Sequence, residues 1–205
     1  MTWTLDSVYD RNKEAPYTFY LPSPPMLKLL QVGDLVKLIF LSDEEHEQFI
    51  GERMWVEIVE RNEVIFKGLL RNIPSYITEL SYGQEIQFTY EHICDTKLED
   101  PEASKWDYYL DTKIVMTRDV LEKRSFNLML KDEPNEENHL GWIFFSGYEP
   151  EGYNGDLDNY QVVSLGVALN IDDSFLAFVE DEPFSAYERD TETGKFNKMI
   201  DYDWG

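Results

Sequence analysis

The chain has one cysteine, three histidines and, between Asp132 and Glu188, no lysine or arginine at all. A single cysteine, Cys94, excludes an intramolecular disulfide and suits a reducing compartment. No run approaches the roughly 18 apolar residues that a membrane-spanning helix requires. The N-terminal stretch M-T-W-T-L-D-S-V-Y-D has neither the basic nor the apolar segment of a secretory signal, so a cytoplasmic location is expected. His46, His92 and His139 lie far apart, and no His-x-x-x-His or Cys-x-x-Cys spacing occurs, so no metal or other cofactor is expected. A glycine-rich phosphate loop, a Gly-x-Ser-x-Gly elbow and a dinucleotide fingerprint are also missing. An enzyme is therefore not expected. His92 and Cys94 stand two residues apart, which on a strand would point both to one face and allow a Cys–His pair. Inert packing of a lone cysteine is the simpler reading.

What is present is acid. Across 205 residues, 41 Asp and Glu face 18 Lys and Arg, for a formal net charge of -23. Such a surface repels nucleic acid and anionic membranes. It favours a basic protein partner, or serves solubility alone. Fourteen of the acids fall between Asp132 and Glu188, where nothing offsets them. Aromatics make up 15% of the chain, ample material for a core.

The apolar pattern divides the chain in two: a β-rich domain over 1–98, a polar linker over 99–111 and an α+β domain over 112–205. The expected class is α+β, with mainly antiparallel sheet in the first half. Met1–Ala15 reads as an arm or edge strand, and Tyr17–Leu21 as a strand. Ser23 caps a short helix that begins with Pro24-Pro25. Leu35–Leu41 is a strand, and Ser42–Gln48 a charged loop or helical turn. Two more strands, Met54–Val59 and Val64–Leu70, turn at Glu60–Glu63 with Arg61-Asn62 at the centre, where Asn tolerates the left-handed conformation. Met54, Val56 and Ile58 form the more buried side of their strand. The segments Leu30–Leu38 and Leu80–Phe88 echo one another: an apolar anchor, a glycine turn, then a strand.

In the second half Lys113–Met116 is a strand, Thr117 caps a helix over Arg118–Arg124, and Phe126–Leu130 is a further strand. Trp142–Phe145 follows, inside L-G-W-I-F-F-S-G-Y-E at Leu140–Glu149. Trp142 and Phe144 point to one face, Ile143 and Phe145 to the other, which marks a central strand covered on both sides. Tyr160–Ile171 suits helix and strand equally. Asp172-Asp173-Ser174 caps a helix over Phe175–Glu180, and Ser185–Arg189 closes the pattern as a strand.

The turn after the aromatic strand, with the acidic loop behind it, is the candidate binding surface: Ser146, Tyr148, Glu149, Glu151, Tyr153, Asp156 and Asp158. Its oxygen-rich composition superficially suits calcium, but it lacks the spacing of a calcium-binding loop. A second reading, a small-molecule or carbohydrate-binding regulator, would use Trp142, Tyr148 and Tyr153 as stacking groups.

Certain motifs resemble known families. T-F-Y-L-P-S at Thr18–Ser23, G-D-L-V-K-L-I-F at Gly33–Phe40 and E-R-M-W-V-E-I at Glu52–Ile58 resemble a bacterial family of small uncharacterised β-rich domains. L-G-W-I-F-F-S-G-Y-E, L-N-I-D-D-S-F at Leu169–Phe175 and A-Y-E-R-D at Ala186–Asp190 resemble the immunity protein thirty-three family of bacterial polymorphic toxin systems. The two resemblances span about Tyr17–Asp95 and Lys113–Phe196. The second implies a protein-binding role, in which an immunity protein blocks a toxin. The chain departs from that family before the Gly-Trp pair, where His139-Leu140 replaces an Asp followed by a small polar residue.

Overall fold

Alternating apolar residues build two sheets, one in each half of the chain. The computed structural model describes residues 3–46, 49–134 and 136–204, and the chain divides into two units, Met1–Ser104 and Lys105–Gly205.

In the first unit, β1 (Trp3–Leu5) leads into α1 (Val8–Glu14), whose N-cap Ser7 side chain accepts from Asp10 N–H. The edge strand was expected; the helix was not. Tyr17–Leu21 is not a strand: Thr18 and Phe19 N–H both turn back to the Ala15 carbonyl. Next comes α2 (Pro24–Leu29), with the Ser23 side chain capping Met26 N–H as the sequence suggests. β2 (Leu35–His46), β3 (Phe49–Asn62), β4 (Ile65–Leu70) and β5 (Glu85–Thr89) form an antiparallel meander. Ser42–His46 therefore extends a strand and is not a loop, while Glu47 and Gln48 lie outside the described residues. A single 3-10 turn, Tyr90–His92, carries the chain to β6 (Ile93–Thr96). β6 pairs with Val36–Leu38, and β1 with Phe40–Ser42, so both lie along the β2 edge not taken by β3.

The inner face carries Val36, Leu38 and Phe40 of β2, Met54, Val56 and Ile58 of β3, and Phe66, Ile86, Phe88 and Ile93 beyond them. Met26 of α2 and Leu30, the residue that ends it, pack against it. Each fully buried Phe or Leu contributes roughly 2–3 kcal/mol to this core. The β3–β4 hairpin corrects one detail. Its left-handed residue is Glu63, not Asn62, because Asn62 still pairs with Ile65.

The echo between the two glycine turns is real in three dimensions. Leu30 and Leu80 are both buried anchors. Gly33 N–H donates to Ile58 O of β3 at 2.8 Å, and Gly83 N–H to Leu70 O of β4 at 2.7 Å. Both glycines have positive φ, 99° and 82°, which only glycine adopts without cost.

The second unit opens with α3 (Ser104–Asp111), so the stretch expected as a linker carries a helix. It then runs through β7 (Lys113–Thr117), α4 (Arg118–Lys123), β8 (Leu128–Lys131), β9 (His139–Phe145), β10 (Tyr160–Ser164), α5 (Leu165–Ile171), β11 (Ser185–Arg189) and β12 (Phe196–Lys198). The ambiguous segment at 160–171 is thus both things in turn, a strand and then a helix. Past α5, the expected Phe175–Glu180 helix is instead a 3-10 segment at Asp173–Ala177, capped by Asp172. The strand order is β10-β7-β9-β8-β11-β12, mixed because β7 and β9 are parallel. The unit is α+β.

β9 is interior to this sheet, as its two apolar faces require. Trp142 and Phe144 are fully buried, and both meet the Phe175 ring edge-on, at 5.2 and 4.8 Å. Trp142 Nε1 and Lys131 Nζ both donate to the Val179 carbonyl, at 3.1 and 3.0 Å. The opposite face carries a row of directly paired residues: Val162, Val115, Ile143, Leu130 and Ala186. Among the described residues no helix is long and apolar enough to cross a membrane.

Candidate functional site

The turn after β9 is built by one carboxylate. Glu149 accepts from Ser146 N–H at 2.7 Å, Gly147 N–H at 2.9 Å and Thr117 Oγ1 at 2.8 Å. Burial alone would raise its carboxyl. The hydrogen bonds, led by that from Thr117, outweigh burial and hold it below the usual range. Gly147 supplies the left-handed residue, at φ 81°. Ser146 is fully buried, donates to Asp119 and accepts from Tyr148 N–H at 3.0 Å. Ser146 and Glu149, two of the seven residues proposed from the sequence, thus hold the turn together and offer little to a partner.

The other five are more accessible. Tyr148 is 69% exposed, Glu151, Asp156 and Asp158 are exposed, and Tyr153 is half-buried. Two 3-10 turns shape the loop, Tyr153–Gly155 and Leu157–Asn159, the second capped by Asp156, which accepts from Asp158 N–H at 3.0 Å. Arg118 Nε donates to the Asp158 carbonyl at 2.7 Å and pins the loop to the start of α4. Stacking by Trp142 is ruled out, since that ring is sealed in the core.

Sequence reasoning missed a second feature, on the outer face of the same sheet. A hollow of about 230 Å³ is floored by Val115, Ile143 and Val162 and rimmed by Asp132, Glu133, Glu136 and His139. A bulge in β9 shapes it. Between Lys113↔His139 and Val115↔Ile143, β7 advances two residues while β9 advances four. Gly141 sits in that bulge at φ 78°, and its N–H donates to His139 Nδ1 at 2.9 Å. The signal was there to be read: a glycine inside a strand pattern, shortly after a loop holding four acids, Asp132, Glu133, Glu136 and Glu137.

The first unit has a hollow of about 260 Å³ lined by residues including Phe19, Lys37, Arg53, Cys94 and Asp95. Lys37 is paired with Asp95 at 2.8 Å. Cys94 is the extra residue of a bulge in β6, and its thiol donates to Lys37 O at 3.2 Å. Burial pushes that thiol up to about 11, and His92 is engaged elsewhere, its Nδ1 accepting from Thr89 N–H at 3.1 Å. The Cys–His pair conceivable from the sequence does not form. Among the described residues no group of three or more His, Cys, Asp or Glu is placed to hold a metal ion.

Fold and surface together define a two-unit α+β protein whose second unit presents acidic loops around an aromatic strand. Residues 114–200 match the family model described as Immunity protein Imm33 domain, and residues 27–123 that of Uncharacterized protein conserved in bacteria (DUF2314). The two matches overlap over β7 and α4. No curated protein and no solved structure matches the chain.

Proposed function

We propose that the protein is a non-enzymatic, immunity-type binding module that neutralises a bacterial toxin through the acidic surface of its second unit. One observation carries the reading: the segment matched to an immunity domain contains the whole interval, Asp132 to Glu188, in which fourteen acids meet no Lys or Arg. A basic partner is the natural complement, because opposite fields raise encounter rates and disfavour wrong partners. The contact surface comprises Tyr148, Glu151, Tyr153, Asp156 and Asp158, where one exposed aromatic ring sits among carboxylates. Ser146 and Glu149 shape it from beneath.

The test is a pull-down from the native cell at low and physiological salt, followed by expression of each captured protein alone and with this chain. A captured basic protein that arrests growth alone and not in company supports the proposal. Recovery of no protein at any salt, or only of proteins without toxicity, overturns it.

A further inference from the structure

We infer that the free edge of β10, with the uncovered sheet face beside it, docks an extended, lysine- or arginine-bearing segment of a partner protein as an added strand. The inference rests on the protein-binding reading and names its mode.

The first support is main-chain geometry. Leu165 N–H donates to Thr112 O, next in register after the β10–β7 pairs. In an antiparallel ladder the hydrogen-bonded pairs alternate. Gln161 and Val163 therefore turn their main-chain groups toward β7, and Val162 turns both of its own outward. Among the described residues β10 is the last strand on its side of the sheet. Its sequence, Y-Q-V-V-S, has no charge and no proline, the usual devices that keep an edge from pairing. The opposite edge, β12, is a three-residue strand flanked by Lys195 and ending in Lys198.

The second support is the face. The row Val162, Val115, Ile143, Leu130, Ala186 is one continuous apolar strip. Met199 and Tyr202 pack on its far half, where Leu130 and Ala186 are buried. Its near half is open, and Val162 is 65% exposed.

The third support is charge. The hollow beside Val162 has an apolar floor and a rim of Asp132, Glu133, Glu136 and His139, three carboxylates against one imidazole, whose Nδ1 accepts from Gly141 N–H. That combination fits the aliphatic stem and cationic head of one side chain. At the other end of β10 stands the acidic loop with Asp156 and Asp158. The nearest cations on β7 and α4 are occupied: Lys113 Nζ donates to Leu110 O, and Arg118 to Asp158 O. A strand laid along β10 places alternate side chains on this face, about 7 Å apart. A cation two positions from the residue opposite Val162 thus reaches one acidic end or the other.

The probe is a synthetic peptide alternating lysine with valine, compared with its glutamate counterpart, against the full chain. The lysine peptide is expected to slow amide exchange at Val162 about tenfold or more, and to bind more weakly as salt rises from low to physiological. Val162→Lys, which installs the missing edge charge at an exposed site, is expected to weaken binding about tenfold. Val162→Pro removes an N–H that no β7 group uses, and is expected to do the same with an unchanged melt. Protection confined to residues away from β10, equal binding of the glutamate peptide, or full binding by Val162→Lys overturns the inference. A toxin bound equally well by the wild type and Val162→Lys would overturn this docking mode alone. Peptide binding at β10 without any toxin would overturn the immunity reading alone.

Discussion

Thr117 Oγ1 donates to Glu149 Oε1 at 2.8 Å, joining residues that stand 32 apart in the chain. The same hydroxyl oxygen accepts from Val120 N–H and caps α4. One side chain thereby starts a helix at the end of β7 and anchors the turn at the end of β9. Both supports of the acidic loop, this one and Arg118, come from the junction of β7 and α4.

Acid should loosen that turn. The Glu149 carboxyl lies below its ordinary value of 4.5 in the folded protein, so the unfolded chain binds its proton first as pH falls. Its contribution is complete above 4.5 and is lost as pH drops through the lowered folded value. Glu149→Gln is expected to cost about 1–3 kcal/mol at neutral pH, and to flatten the acid limb of stability below 4.5. Urea titrations across that range, wild type against variant, read both effects; parallel acid limbs would contradict this account.

Gly141 tolerates no side chain. A Cβ there would meet the Asp132 carbonyl oxygen at 2.1 Å, on top of a φ of 78°. Gly141→Ala is expected to destabilise the second unit by more than about 1 kcal/mol and to move the Asp132–Glu136 rim. Chemical denaturation gives the first, and amide shifts of Glu133 and Ile143 the second. A neutral substitution would mean the bulge is not fixed by this residue.

Cys94 should be a poor nucleophile until the fold opens. With its thiol pushed up to about 11, little thiolate exists near neutrality. Labelling by a disulfide reagent at neutral pH is expected to be slow in the native protein and fast in denaturant. The native rate should climb roughly tenfold per pH unit up to the raised value. Rapid stoichiometric labelling of native protein at neutral pH would instead reopen a reactive role.

Charge on the acidic loop should act on association more than on residence. Reversing Glu151, Asp156 and Asp158 together to lysine is expected to slow association with the partner by roughly an order of magnitude at low salt. The difference should shrink at high salt. Loss of the Asp156 cap on its 3-10 turn is expected to cost about 0.5–2 kcal/mol, so the rates are compared well below the melting temperature. Stopped-flow mixing at two ionic strengths checks the rates, and a salt-independent rate would exclude steering.

Where sequence reading succeeded, local chemistry was decisive. Ser23 before Pro24-Pro25 and Thr117 before α4 cap the helices they were expected to cap, while Asp172 caps a short 3-10 turn in place of the expected helix over Phe175–Glu180. The two glycine turns, at Gly33 and Gly83, repeat a motif in space as they do in the sequence. It failed where a segment's fate depends on distant partners. Tyr17–Leu21 has strand composition but finds no strand to join, and Ser42–His46 is charged yet extends β2, with Trp3 paired at Ser42 and Phe49 at His46. Tyr160–Ile171 could not be resolved because the choice is made by β7, which takes the first five residues and leaves the rest to coil into α5.

The same division holds for the surface. The sequence by itself determined the charge imbalance, the aromatic strand and the family resemblances, since these are properties of composition and local pattern. Only the tertiary structure decided that Ser146 and Glu149 face inward and that Trp142 is sealed in the core. It alone set Asp132, Glu133 and Glu136 beside Val162, residues brought together by a parallel β7–β9 pairing and a bulge at Gly141. Pairing across long stretches of chain is set by the total burial of both sheet faces, a quantity that no single segment carries.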